Sequence, residues 1–287
     1  MQFKKLLASF LLTAGAVGLS TAAQPLKQAT VTTLKNTVRL QPEGKDERDA
    51  KSEDTLTGAD VLHTGERSFA ELLFADKTIT RLGSKSIFSF KSEAREFRVG
   101  DGLTVIHVPK GAGGGRIVTA AITAAIEGTT IAALDRSVAG KEAGAAARVL
   151  STIWFVEGKG TIFLNRDPKQ SRKISEGQRL AQFADDPALG QPVDFHIKPF
   201  VEGGRTFLTF PQEGAPWRTA DKSVRDAIRR QERLIRRGIL RVAGAVPGDA
   251  GPPSGGGEPP FRDEGLIGIP LDAFSGPQSD FPPPIQR

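Results

Sequence analysis

The chain has 287 residues, 39 Lys and Arg against 33 Asp and Glu, and a formal net charge of +6. It contains no cysteine, which excludes a disulfide framework, thiolate-held metal centres and a cysteine nucleophile. His63, His107 and His196 leave few parts for a histidine-built metal site, and the charge excess is too small for a nucleic-acid-binding protein of this size.

The chain opens with Lys4 and Lys5, an uncharged and mostly apolar run over 6–19, and the small residues Ser20, Thr21, Ala22 and Ala23. This three-part pattern predicts a signal peptide over 1–23, cleaved after Ala22 or Ala23. The expected mature protein is periplasmic or secreted. No cysteine follows the site to carry a lipid, and loss of Lys4 and Lys5 lowers the formal charge to +4.

From Ala29 onward short β-like runs alternate with turn residues. The charged stretch 41–55 reads as a loop. A hairpin is predicted from strands over 68–74 and 78–82 around Ala75-Asp76-Lys77, with Ala70, Leu72 and Phe74 inward and Glu71 facing water. Phe88 and Phe90 share the face of a further strand. Gly100-Asp101-Gly102 is a tight turn before a strand over 103–108. Residues 116–134 are alanine-rich, as in a helix, yet many are β-branched. The expectation is a strand, with Val118, Ala120, Ile122, Ala124 and Ile126 on one face; residues 140–147 read as a loop or short helical turn. Strands over 152–156 and 161–164 follow, then turns at 165–168 and 176–178, and a last hairpin pairs 195–200 with 206–210. The 17 Phe and absent Tyr point to a hydrophobic core without polar handles. The fold class is therefore all-β, an antiparallel sandwich or roll.

Within this body, Gly58-Ala59-Asp60-Val61, Thr64-Gly65, Ser68-Phe69-Ala70-Glu71-Leu72-Leu73-Phe74, Arg81-Leu82-Gly83, Gly102-Leu103-Thr104-Val105, Ile117-Val118-Thr119 and Gly128-Thr129 follow one another in a fixed order. Val156-Glu157-Gly158 and Glu176-Gly177-Gln178 close the series. The pattern resembles the FecR domain, the periplasmic β-rich part of iron–citrate signalling regulators. It is strongest over 54–178 and is extended here to a domain over 24–212. The resemblance implies an extracytoplasmic interaction module. Its motif residues specify turns and strand ends, and no reaction. The family's cytoplasmic anti-sigma segment and membrane helix are replaced here by the expected signal peptide, so transmembrane signalling does not carry over.

The period changes to 3.6 over the next segment, 213–242. Val224, Ala227, Ile228, Gln231, Leu234, Ile235, Ile239 and Val242 share one arc of a helix over 217–242; Lys222, Arg225, Arg229, Arg230, Arg233, Arg236, Arg237 and Arg241 share the other. Thr219, Asp221 and Ser223 are candidate N-caps, and Gly238 ends or weakens the helix. The arc either packs on the β body, the simpler reading, or attaches the chain to an anionic membrane surface or acidic partner. On the second reading Arg225, Arg229, Arg230, Arg233, Arg236 and Arg237 form the binding face. Residues 243–287 hold ten Pro and nine Gly, which predicts a disordered tail. Phe261, Leu266, Ile267, Ile269, Leu271, Phe274 and Phe281 within it are candidates for a docking motif.

No carboxylate pair, nucleophile elbow or phosphate loop stands out from loop charge. Each histidine reads as a partly exposed strand residue. The expected function is non-catalytic binding or scaffolding at the bacterial envelope, with no cofactor, no metal and no nucleic acid. The partner would be a protein or another envelope component. The alternatives are a carbohydrate- or peptidoglycan-binding module, for which Trp154 and Trp217 offer little stacking surface, and an envelope hydrolase.

Overall fold

Apolar–polar alternation becomes strand along most of the body, and the two inward faces so formed are brought together as a sandwich. The computed structural model describes residues 25–139, 146–203 and 214–242. In chain order the strands are β1 (Ala29–Lys35), β2 (Val38–Gln41), β3 (Arg48–Asp49), β4 (Thr55–Leu56), β5 (Val61–Thr64) and β6 (Phe69–Phe74). Next come β7 (Ile79–Leu82), β8 (Ile87–Lys91), β9 (Glu96–Gly100), β10 (Leu103–His107), β11 (Gly115–Val118) and β12 (Ile122–Ile126). The last are β13 (Thr130–Val138), β14 (Arg148–Glu157), β15 (Lys159–Leu164), β16 (Asp167–Ser175), β17 (Gln178–Phe183) and β18 (Val193–Asp194). Helices α1 (Ile197–Gly203) and α2 (Ala215–Arg236) follow.

The strands form two nine-stranded sheets. The helix-side sheet has the order β18-β17-β14-β13-β10-β7-β6-β1-β4, and the far sheet β16-β15-β12-β11-β9-β8-β5-β2-β3. Pairing is antiparallel except between β9 and β11, which run parallel. The core lies between the sheets. Phe74 of β6 reaches across to Phe90 (ring centroids 5.0 Å, 77°) and Phe97 (5.5 Å, 86°), both on the far sheet. These edge-to-face contacts add to the burial of the rings themselves.

The turn chemistry explains the recurring glycines. Asp101 (φ 44°) and Gly102 (φ 57°) are the two left-handed residues of the β9–β10 turn, the conformation that two-residue hairpins favour. A Cβ on Gly102 would stand 2.5 Å from the Ser84 carbonyl oxygen, so the position is closed to any side chain. Gly128 has φ 57°, and a Cβ there would stand 3.0 Å from Lys110 Cα, as expected of a close backbone approach.

Several expectations are corrected. The run 116–134 is β-structure, but turns at 119–121 and 127–129 split it into β11, β12 and β13. Ile117, Ile122 and Ala124 therefore point into the core, and Val118 is half-exposed. The loop 41–55 contains the two-residue strand β3, and Pro168 lies inside β16, an edge strand where a missing N–H is tolerated. Residues 197–203 form α1 rather than half of a hairpin; its expected partner, 206–210, lies outside the described residues, as do the signal peptide, 140–145 and the tail from 243. Helix α2 begins at Ala215 after Gly214 (φ 76°), with Pro216 in its first turn and no side-chain cap. Thr219, Asp221 and Ser223 lie inside the helix. The helix ends at Arg236, two residues before Gly238 (φ 67°).

Candidate interaction surface

The helix that carries the candidate arginines is the third layer of the fold. Ala220, Val224 and Ala227 are buried against Ile79, Val105, Ala132, Leu134, Trp154 and Val156 on the outward face of the helix-side sheet. Phe195, Ile197 and Val201 complete this second apolar cluster. The packing reading of the apolar arc thus holds for the first four turns.

Polar contacts fix the helix in register. Glu71, expected to face water, is 3% exposed beneath the helix start. It accepts hydrogen bonds from Arg81 Nε (2.7 Å), Thr32 Oγ1 (2.8 Å) and Trp217 Nε1 (2.9 Å). Arg81 is equally buried. Glu71 does alternate to the outward face of the sheet, but that face is covered by α2. Further along, Gln231 donates to the Phe195 carbonyl (2.7 Å) and accepts from the Ile197 amide (2.8 Å). His196 meets Glu232 at 2.5 Å.

The six candidate arginines separate into two sets. Arg225 pairs with Asp221 and Arg229 with Asp226, both along the helix. Arg230 grips Glu176 of the β16–β17 turn with two bonds, 3.0 and 2.6 Å, so it fastens the helix to the body. Arg233, Arg236 and Arg237 are exposed and have no acidic partner among the described residues. They sit at the helix C-terminus, where the macrodipole favours cations. Beside them part of the apolar arc is uncovered: Leu234 is 39% and Ile239 61% exposed, while Val242 beyond them is buried. The structure thus joins three unneutralised cations to two uncovered aliphatic side chains at one end of α2.

Three titratable groups elsewhere, His107, Asp135 and Glu157, are buried by the sheet packing. His107 is 2% exposed, contrary to the expectation of a partly exposed residue. Its Nδ1 lies 2.8 Å from Thr130 Oγ1, but Thr130 is fully buried, so the pair cannot meet a substrate. Burial pushes His107 down to about 4. His63 is half-exposed, as expected of a strand residue on an open face. Asp135 is pushed up to about 6 by burial, although it accepts a bond from the Ala120 amide (2.7 Å). Glu157 is raised by burial at the floor of a 410 Å³ cleft under α2 that Lys110, Arg218, Lys222 and Asp226 also line. Lys222 and Arg229 hold Asp226 down to about 2. Trp154 is buried and stacked on Phe200 (5.4 Å), and Trp217 is engaged with Glu71, so neither indole is a free platform for a sugar ring. Among the described residues no group of three His, Asp or Glu is placed to hold a metal, and no helix is long and apolar enough to cross a membrane.

His107 and Asp135 give opposite pH dependences in one window. Asp135 is raised in the fold, so its contribution is fully present below about 4 and is lost as pH rises through about 6. His107 is lowered, so its contribution is present above its unfolded value of about 6.5 and is lost as pH falls through about 4. The two slopes oppose each other between pH 4 and 6. Urea unfolding should show Asp135→Asn gaining stability steadily from pH 4 to 6 relative to wild type, by roughly 1–3 kcal/mol for a shift of about two units. His107→Gln should show the reverse slope.

No family profile and no curated protein matches the chain. Among solved structures the chain is similar to two crystal structures of a candidate anti-sigma factor from Parabacteroides distasonis. The TM-scores are 0.36 and 0.35, at 12% and 11% identity over 50% of this chain. The match spans 65% and 64% of those chains, just under two thirds of their length.

Proposed function

We propose that the chain is an exported, FecR-like, non-catalytic binding module of the bacterial envelope, and that it attaches to an anionic lipid surface through the end of α2. The observation that carries the attachment is the division of the arginines. Arg225, Arg229 and Arg230 are paired with Asp221, Asp226 and Glu176, whereas Arg233, Arg236 and Arg237 have no acidic partner among the described residues and lie beside the exposed Leu234 and Ile239. The apolar leader and the FecR-like order of turns and strands support the export and family readings.

The expected strength is modest. Each arginine near an anionic surface contributes about 1 kcal/mol, and two partly buried aliphatics add roughly 1–2 kcal/mol each. A total near 6 kcal/mol corresponds to a dissociation constant of tens of micromolar. Binding should therefore be reversible and salt-sensitive. Co-sedimentation at low salt should retain the wild type on vesicles rich in anionic lipid, whose negative surface potential supplies the attraction, and not on zwitterionic vesicles. Arg233→Glu, Arg236→Glu and Arg237→Glu together should abolish retention. Failure of anionic vesicles to retain the wild type sinks the attachment. Release of fragments from purified peptidoglycan would overturn the non-catalytic reading.

A further inference from the structure

The outward face of the far sheet has no covering layer among the described residues, and it is grooved. The groove, about 620 Å³, crosses the strands between the loop after β2 and the turn between β11 and β12. Its floor is one cross-strand row in which Val61 pairs with Ser89, Ser89 with Arg98, and Arg98 with Val118. His63 and Ile87 pair in the next row. Val61, Ile87 and Val118 are only half-buried, so the floor is an aliphatic strip still in contact with water. Such a strip on a sandwich face, where polar residues are expected, marks a place that something covers.

The electrostatics select the kind of occupant. Arg98 stands in the floor, bonded to Glu96 at 2.8 Å. The neighbouring row carries Lys91, Arg116 and Lys173, and Arg116 has no acidic partner among the described residues. Against these four cations stand Glu96 and, on the rim, Glu43. The His63 row adds Arg39, balanced by Glu47 and Asp49 beside it. The β9–β11 side of the face therefore suits a segment that is apolar in its middle and acidic at its ends.

The chain itself contains such a segment. Residues 261–274 place Leu266, Ile267, Ile269 and Leu271 between Asp263-Glu264 on one side and Asp272 on the other, with Arg262 as the one cation. Between Val242, where the described chain ends, and Phe261 lie residues 243–260. Eighteen residues reach up to about 60 Å at roughly 3.3 Å each. Passing from the helix layer to the far face crosses two layer spacings of about 10 Å each, so a path around the sandwich edge is within reach.

We propose that residues 261–274 dock in cis across this groove, with the aliphatic side chains on Val61, Ile87 and Val118 and the carboxylates toward Arg98 and Arg116. The segment then occupies the face by intramolecular binding, in which the tether supplies a high effective concentration. A partner reaching this face must displace it.

The test uses the full chain with Ile87→p-benzoylphenylalanine, photolysed at low protein concentration, the links being mapped by mass spectrometry. Links from position 87 to 261–274 within a monomer-sized product support the proposal. Replacing Asp263, Glu264 and Asp272 by Lys should lower their yield at least fivefold, with thermal unfolding unchanged. Links joining two chains assign the groove to a second copy and overturn the cis proposal. Links confined to the sheet, or a yield indifferent to the triple substitution, overturn it as well. Retention on vesicles is read separately, at Arg233, Arg236 and Arg237, so failure here leaves the attachment reading standing.

Discussion

Replacing Glu71 by alanine is expected to cost about 3–5 kcal/mol, because it leaves the Arg81 guanidinium buried with its carboxylate removed. Arg81 is 3% exposed and its Nε bond to Glu71 is 2.7 Å. Trp217 Nε1 loses its acceptor in the same variant, while Thr32 keeps only its bond to the residue-71 carbonyl, and an unpaired donor adds to the penalty. Arg81→Ala should cost a comparable amount. Replacing both residues by well-packed apolar side chains should cost much less than the two single losses together, since the buried pair is then removed as a unit. Equilibrium urea unfolding gives the energies, and Trp217 fluorescence reports whether the start of α2 leaves the sheet. Costs below about 1 kcal/mol for both single variants, as for an exposed pair, would show that this pair does not anchor the helix.

The other large loss is expected at Phe74. Its ring is 1% exposed and forms the edge-to-face contacts that join β6 to Phe90 and Phe97 of the opposite sheet. Phe74→Ala should destabilise by about 3–5 kcal/mol from lost transfer energy and the cavity left behind. The lost ring–ring contacts place it toward the upper end. Phe74→Leu should recover most of this, since shape-tolerant aliphatic filling is cheaper than a void. Equal losses for Ala and Leu would mean that ring geometry, rather than filled volume, sets the stability there.

The strands were legible because period two and the turn residues agree. Leu72, Phe74, Phe88 and Phe90 are buried as their alternation requires, and Lys77, Asp101, Gly102, Gly158 and Gly177 adopt the positive φ that their turns need. Alternation states only which residues share a face. It does not say what lies on that face, and this is why Glu71 was placed in water: the layer above it comes from Trp217, 146 positions later in the chain. The same distance hid the split among the arginines. Arg225 and Arg229 have acids within one helical turn, visible in sequence, but Glu176 is 54 positions from Arg230. Helix α1 was missed because 197–203 holds too few residues to show a 3.6 period, and its apolar content suited a strand equally well. In 116–134 the β-branched residues outweighed alanine's helix propensity, yet the turn at 119–121 carries no Gly, Pro or Asn to announce it. The uncovered row of Val61, Ile87 and Val118 appears only once strands distant in sequence are set side by side.

The division of the arginines is the claim on which the functional account rests. Its most direct test is the salt dependence of retention on anionic vesicles for two neutral triple variants. One carries Arg225→Gln, Arg229→Gln and Arg230→Gln; the other carries Arg233→Gln, Arg236→Gln and Arg237→Gln. The account predicts that the second variant loses most of its retention and its salt dependence, while the first, whose side chains are engaged with Asp221, Asp226 and Glu176 away from the free end, keeps clearly more of its retention. Equal losses in the two variants would contradict it, because the whole basic face, rather than the free end of α2, would then be the binding surface.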